Sequence, residues 1–594
     1  MENKVFTKSE GFKSEYSCAI VTVPELTPIE GSDFLAKTNI FGTQIVVRRD
    51  QVSTGDVMLY AANETQLNER FLSVNNLYEI SCREKNANAE EVAKIMSEYE
   101  PIKAEADKKR NEAKNIKGMM ETYTKKSQKI QKSIKKKEKD AEKLKDKPDE
   151  ASMLTLDIPE LQKKADEYVA RAMALTTQYT NLKKEVEDIV KSGEHIVAEA
   201  KKHCGFFNKY GRVRCLTLKG CPSFGVLFSP DDLMKFDPTI TMDDILGYVG
   251  NEFDTVNGEL FVKVFVPPVK EQPVRGSKAS RAQKKLVRFD RMVEGEFSFH
   301  YETSQFQKII EGFNPTDVVD ITVKRHGTSI IIGNLLVKQP IRLPFFQRLL
   351  NKFIDLTGLL KSKRIKDWEE VYGPLYSSRT VIKNRYINKE VTDGFYSKDV
   401  WSEWGDIVYP YLPEGMTVYG EICGYVTGTQ TMIQKTYDYG CEPGENNLMI
   451  YRITTKADEE GKKEWEIPDV KAWTEELIER MKSNGDENWK RLHPIDLLYH
   501  GTLEDLYPDL DTTEHWHVNL LEKMKNDKEH FGMEENEPMC THFKSPREGI
   551  CIRREGDIYP SCSKLKTNSF FIGESVRMDS ADVDIEMTEG YSEN

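Results

Sequence analysis

Lys324 closes a β-branched run, Val318-Val319-Asp320-Ile321-Thr322-Val323, and opens the turn Lys324-Arg325-His326-Gly327-Thr328-Ser329 before a second run, Ile330-Ile331-Ile332. An amine at the end of a strand faces the cavity which that strand borders, so it is a candidate nucleophile. Taken alone it is weak, because a lysine between two strands is more often a solvated charge. Four further segments change the balance. Thr417-Val418-Tyr419-Gly420-Glu421-Ile422 sets a carboxylate inside a strand, where an unpartnered charge costs several kcal/mol. Leu448-Met449-Ile450-Tyr451-Arg452-Ile453 carries an aromatic ring on a strand, and Arg547-Glu548-Gly549-Ile550-Cys551-Ile552-Arg553 carries a second carboxylate. Ser563-Lys564-Leu565-Lys566 puts two ammonium groups on one strand face, since residues two apart point the same way. A nucleophilic amine, two extra cations, two carboxylates and a stacking ring together suit phosphate chemistry on a nucleotide.

In this order the segments resemble the nucleotidyltransferase motifs of ATP-dependent polynucleotide ligases and capping enzymes. Lys324 matches the lysine of K-x-D/H/N-G, and His326 followed by Gly327 is similar to RNA ligases of the T4 ligase 2 kind. Arg379, in Tyr376-Ser377-Ser378-Arg379-Thr380, matches the arginine of the next motif, and Glu421, Tyr451, Glu548, Lys564 and Lys566 fill the rest. Upstream, Gly55-Asp56-Val57-Met58-Leu59-Tyr60, Phe71-Leu72 and Arg212-Val213-Arg214 through Ser223-Phe224-Gly225 are similar to the N-terminal OB domain of Deinococcus-type RNA ligases. DNA ligases and capping enzymes instead place an OB domain after the K-x-K motif, and only 28 residues follow Lys566. Ser329 and Arg452 depart from the pattern: close relatives often have Asn at the first, and some have an acid at the second.

The resemblance implies an ATP-dependent RNA ligase that uses ATP as AMP donor with Mg2+ or Mn2+. Lys324 would form a lysyl-AMP. Lys564 and Lys566 would disfavour a second positive charge beside them, helping the amine shed its proton, and would then stabilise charge on the α-phosphate oxygens. The cofactor-binding set would be His326, Gly327, Arg379, Glu421 and Tyr451, with Tyr451 stacked on adenine and Arg379 and Glu421 on ribose hydroxyls. Glu548 would organise the metal and its waters. The implied partner is RNA, or an RNA-containing duplex with a nick whose 5′-phosphate and 3′-hydroxyl ends are joined, as in RNA repair. The rival readings are a GTP-using guanylyltransferase and a non-catalytic nucleic-acid-binding or assembly protein.

The elements that must position these residues follow from pattern. Residues 40–60 read as strand, turn and strand. From about 85 the composition turns to Lys, Glu and Ala. Leu161, Ala165, Tyr168, Ala172, Leu175, Tyr179, Leu182, Val186 and Ile189 then recur at alternating steps of four and three, a coiled-coil seam. A looser series from Ile116 to Leu144, with breaks at 147–150 and Pro159, predicts two helices folded back as an antiparallel hairpin. Residues 101–150 hold 17 basic and 10 acidic side chains, which is either a solvated face or one that touches nucleic acid.

The expected class is α+β: an OB-type β barrel (1–84 and 204–270), interrupted by the coiled-coil hairpin (85–203), a linker (271–285), and a nucleotidyltransferase domain (286–575) of the ATP-grasp-like or DNA-ligase-like kind. The segment 576–594, strongly acidic, is expected to be a disordered tail. Residues 456–540 read as an extra helical, charged block. Arg212, Arg214 and Lys219 are expected along one strand, either as a clamp on the nucleic-acid strand that bears the 3′-hydroxyl or as residues that only solubilise the barrel.

At 594 residues the chain has material for several domains, and its net charge of −13 excludes a uniformly basic nucleic-acid coat. Ten cysteines form no C-x-x-C pair, which fits reduced thiols. The longest apolar run, Ile330 to Val337, is far short of the ~20 residues that span a bilayer, so no membrane partner and a cytoplasmic protein are expected. His515-Trp516-His517 and Cys540-Thr541-His542 fit no common zinc spacing. The hairpin is the surface expected to serve a protein partner or self-association.

Overall fold

Alternation builds two sheets of five strands whose apolar faces turn away from the residues singled out above. In the computed structural model, residues 5–143, 146–266, 289–301, 303–357, 364–387, 398–457, 461, 463–512, 515–556 and 561–579 are described. The chain divides into one unit of Met1–Thr65, Val213–Ser229 and Met242–Asn594, and a second of Gln66–Arg212 and Pro230–Thr241. The fold is mixed α+β, with several small sheets and one helix of 44 residues.

In the first unit, one sheet orders Ser304–Gln305, Ser561–Lys566, Gly549–Arg554, Val318–Lys324 and Leu497–Thr502. Val319 and Ile321 bury into a core with Ile550, Ile552 and Leu565, so Asp320, Thr322 and Lys324 take the other face. The second sheet orders Trp368–Ser377, Thr328–Pro340, Thr417–Gly424, Asn446–Thr454 and Leu492–Pro494. Its core face joins Ile330, Ile332, Val418, Ile422, Leu448 and Ile450 to Trp401 and Trp404 of the helix Val400–Val408 and to Leu477 and Met481 of Ile467–Ser483.

The stretch 456–540 is not only helical: it gives each sheet an edge strand. Leu497–Thr502 pairs antiparallel with Val318–Lys324, and Leu492–Pro494 pairs parallel with Asn446–Thr454. Asp496, between these two strands, reaches the Arg325 guanidinium in the turn that follows Lys324.

The N-terminal part of this unit holds a four-stranded sheet (Gly225–Phe228, Val57–Ala62, Cys18–Thr22, Glu252–Phe253) and a three-stranded one (Thr27–Pro28, Leu35–Ile40, Thr43–Arg48). Ala19, Val21, Ile45, Val47 and Tyr60 share their core. The run 40–47 is two strands, because Phe41 and Gly42 turn at positive φ. The expected line of cations does not form on one strand either. Arg212 is buried, and Lys219 sits at φ +49 in the turn joining Leu216–Leu218 to Cys221–Ser223.

In the second unit, Glu100–Lys143 and Ile158–Ser192 lie alongside each other with the short helix Pro148–Thr155 between them. Lys109 pairs with Glu185 at 2.7 Å, the Tyr123 and Tyr168 rings stack at 5.8 Å, and Lys137 pairs with Asp157, so partner numbers fall along one helix as they rise along the other. Pro159 falls in the first turn, where its missing N–H costs no helical bond. The last described helix, Asn568–Asp579, continues past 576, so the start of the expected tail is helical; the rest of that tail and the expected linker lie outside the described residues.

Candidate active site

The two polar sheet faces border a cavity of about 940 Å³ counted to its open mouth. Asp320, Thr322, Lys324, Cys551 and Arg553 line it from the first sheet, Ser329, Glu421, Tyr451 and Arg452 from the second, with Arg379, His300 and Tyr301 beside them. Four of the expected site residues, Lys324, Arg379, Glu421 and Tyr451, thus share one cavity.

Register explains how the amines meet. Lys324 lies opposite Gly549, and Gly549 lies opposite Lys566. Gly549 has φ +146, and a Cβ there would come within 2.1 Å of the Leu565 carbonyl oxygen, so only glycine lets the three strands close on this rung. Glu548, at the entrance to its strand, is buried. Its Oε1 lies 3.1 Å from Lys324 Nζ and 3.4 Å from Lys566 Nζ, while Lys566 also pairs with Glu574 at 3.2 Å. The second Glu548 oxygen, Oε2, makes no hydrogen bond among the described residues and has His326 Nδ1 at 3.8 Å.

His326 and Gly327 do not line the cavity. The His326 ring packs edge-on against Tyr437 and Phe570 at 5.0 and 4.9 Å, and burial pushes its pKa well below the ordinary value. Gly327 donates its N–H to Glu421 Oε1 at 2.9 Å; a Cβ there would strike the Ile422 carbonyl oxygen at 2.3 Å. The glycine therefore allows the turn after Lys324 to seat against the strand that carries Glu421. Arg325, also buried, is clamped between Glu537 and Asp496 and fixes the same turn from the other side.

Tyr451 owes its position to a register shift. Arg452 faces Tyr419 and Ile450 faces Gly420, leaving Tyr451 as the extra residue of a β-bulge, a device that re-aims a side chain. Its ring lies 5.6 Å from that of His300, whose pKa burial pushes down to about 3, so this imidazole is neutral at physiological pH.

Lys564 lines an adjoining cavity of about 1070 Å³ together with Lys566, Lys308, Lys525, Glu15 and Glu574. Burial first, then Lys566, Lys324 and Arg379, push its pKa down, against Glu15. Burial also lowers Lys525, to about 8, while its ammonium donates to the Gly42 carbonyl.

Sequence reasoning missed a charged cluster in the lining of the first cavity. Arg452 lies over the Tyr301 and Tyr419 rings at 4.3 and 4.1 Å and binds Glu464 through two hydrogen bonds of 3.0 Å. Arg553 bridges Glu464 at 3.3 Å and Glu555 at 2.8 Å, and Asp320 takes His500 at 2.7 Å. Asp320 could have been found, since it is four residues before Lys324 and so shares its strand face. Glu464 and His300 lie in stretches without a period and gave no signal.

No family model matches the chain, and no curated protein does. Among solved structures it is similar to Naegleria gruberi RNA ligase. A lysine-to-alanine mutant with ATP and Mn has 12% identity over 93% of this chain and 98% of that one, with a TM-score of 0.41. A second such mutant with ATP and Mn has 11% identity over 94% and 98%, TM-score 0.40. The same enzyme with PPi has 11% over 94% and 99%, TM-score 0.38. At such values the basis for any functional reading is the geometry of the site itself.

Proposed function

We propose that the chain is an ATP-dependent RNA ligase that works through a lysyl-AMP. The observation that carries this reading is Lys324 Nζ at the cavity wall, 3.1 Å from the buried Glu548 carboxylate, with Tyr451, Glu421 and Arg379 in the same cavity. Lys324 Nζ attacks the α-phosphorus of ATP, the bond from that phosphorus to the α,β-bridging oxygen breaks, and pyrophosphate leaves. The ion pair with Glu548 must open and the amine must lose its proton first. Lys566 and Lys564 are the cations that stabilise the charge gathering on the α-phosphate oxygens. Tyr451 offers its ring to the base, and Glu421 and Arg379 offer an acceptor and a donor to the ribose hydroxyls. AMP then passes to a 5′-phosphate oxygen, and a 3′-hydroxyl attacks that phosphate with loss of AMP.

A divalent ion fits this donor set. Mg2+ keeps several waters and takes one or two carboxylates plus substrate phosphates, and Oε2 of Glu548, without a hydrogen bond among the described residues, is a buried acceptor of that kind. Bound there, Mg2+ or Mn2+ would supply charge neutralisation to the phosphates.

The N-terminal strands serve as an OB-type clamp on the strand bearing the 3′-hydroxyl, the paired long helices as a coiled-coil hairpin for a partner or self-association, and the substrate is a nicked RNA-containing duplex met in cytoplasmic RNA repair. The deciding experiment is incubation with α-labelled ATP or GTP. Acid-labile label from ATP, lost in Lys324→Ala and in Lys324→Arg, is expected, because arginine keeps the charge but is no nucleophile at accessible pH. Label from GTP alone, or label retained in Lys324→Ala, removes the assignment.

A further inference from the structure

The connection between the strands Thr328–Pro340 and Trp368–Ser377 carries the helix Phe345–Thr357. Its large apolar residues face outward: Phe346 is 81% and Leu356 86% exposed, and Phe345, Leu349, Leu350 and Phe353 are exposed as well. At about 100° per residue these six fall within an arc of roughly 140°, whose one polar residue is the terminal Thr357, its hydroxyl donating to the Phe353 carbonyl at 2.8 Å. The opposite side is anchored, because Ile354 is buried and Asn351 exchanges hydrogen bonds of 2.8 and 2.9 Å with the backbone of Ile365. Arg348 and Lys352 fall at one edge of the apolar arc and are exposed. From 338 to 352 the chain has Lys338, Arg342, Arg348 and Lys352 and no carboxylate, in a protein of net charge −13.

Scattered exposed apolar residues are ordinary, but a contiguous stripe of Phe and Leu is not. A single convex helix with an apolar arc and cations at its rim has the form of an element that lies in the headgroup region, its apolar side about 5–10 Å into the boundary with the acyl chains. We propose that Phe345–Thr357 docks the protein on an anionic lipid surface, with Phe346, Leu349, Phe353 and Leu356 inserted and Arg348 and Lys352 at the level of the lipid phosphates. Charge selects this occupant, since a local cationic rim on an acidic protein matches an anionic surface. At 13 residues the helix is too short to span, and no described helix is long and apolar enough to cross a membrane. The inference departs from the expectation of no membrane partner and is independent of the reading of the cavity.

The test is flotation of the full chain with vesicles of phosphatidylcholine and phosphatidylserine (about 70:30) against phosphatidylcholine alone. The protein should float with the anionic vesicles and do so less as salt rises. Phe346→Glu/Leu349→Glu/Phe353→Glu should lower the partition at least about tenfold, and Arg348→Glu/Lys352→Glu should remove the preference for phosphatidylserine. Every replaced side chain is exposed, and a cooperative melt checks folding; Phe346→Ser/Leu356→Ser is the milder variant should the first misfold. Wild-type protein left at the bottom of the gradient overturns the proposal, as does an unchanged partition in the variants. A dimer in light scattering that the triple variant splits would assign the face to a second copy instead, and loss of RNA binding in the variants without loss of flotation would assign it to RNA.

Discussion

Lys324 and Lys566 share one oxygen of Glu548, at 3.1 and 3.4 Å, and they meet there because Gly549 stands between them on one rung of the sheet. One carboxylate thus holds the proposed nucleophile and one of the cations that would stabilise its transition state.

Glu548→Gln keeps the shape and removes the charge. Lys566 retains Glu574 at 3.2 Å, so the effect falls mainly on Lys324. Covalent labelling by ATP should drop at least about a hundredfold, the usual scale for one electrostatic group in a transition state. Stability should fall by only about 1–3 kcal/mol, toward the low end because Lys324 is a quarter exposed. Rapid-quench labelling and urea unfolding read the two effects separately, and wild-type labelling kinetics would remove Glu548 from the site.

Tyr451 tests the base pocket. Stacking of a base on an aromatic ring contributes about 1–3 kcal/mol, so Tyr451→Ala should raise the KM for ATP by roughly 5- to 150-fold in the labelling step. Tyr451→Phe keeps the ring and should stay near wild type; the contact of the hydroxyl to Ser329 Oγ is long, at 3.4 Å. Equal losses in both variants would mean that the hydroxyl, not the ring, matters.

Glu555 gives a pH dependence of defined sign. Burial, reinforced by a hydrogen bond to Asp320 and opposed by Arg553, pushes its carboxyl from 4.5 up to about 8. Between those values the folded chain holds a proton that the unfolded chain has released, so this group's stabilisation is full below about pH 4.5 and is lost as pH rises toward 8. Glu555→Gln is neutral throughout. The stability of the wild type relative to Glu555→Gln should therefore fall from pH 5 to pH 8, with a slope of at most about 1.4 kcal/mol per pH unit. Paired urea titrations at pH 5, 6.5 and 8 measure it; a constant difference would show that Glu555 is ionised in the folded protein.

Short-range pattern carried the strands of the site into view. The alternation around Lys324, and the two-residue spacing of Lys564 and Lys566, follow from the strand period and needed no knowledge of tertiary structure. The edge strands Leu492–Pro494 and Leu497–Thr502 were not legible, because their pairing partners lie more than 40 and 170 residues away and three to six residues are too few to show a period. The Tyr451 bulge is likewise set by its neighbour strand. The inner cluster of Arg452, Glu464, Arg553 and Glu555 was hidden for a different reason: a buried charge network has no sequence period, and only the meeting of two sheets makes it.

The last prediction concerns the paired long helices. Gly193 ends one of them, and a Cβ there would lie 2.6 Å from the Tyr99 ring, so the chain enters and leaves the pair at nearly one place. A short Gly/Ser loop can bridge that gap at an entropic cost that grows only with the logarithm of its length. The buried residues of the pair, among them Ala106, Ala113, Ile134, Ala165 and Leu182, are not among those that line the cavity beside Lys324, whose lining runs from His300 to Cys562. Replacing 100–192 by such a loop should therefore leave the rate of self-adenylation within about twofold, a change of under 0.5 kcal/mol in the barrier. RNA binding should change instead. The segment 101–150 has 17 basic against 10 acidic side chains, and if phosphates contact it, its removal weakens binding and flattens the dependence of log K on log salt. A deletion variant that melts cooperatively yet takes no label would make the helices part of the catalytic assembly. One that labels normally and binds RNA with an unchanged salt slope would leave a protein partner or self-association as the role of the pair.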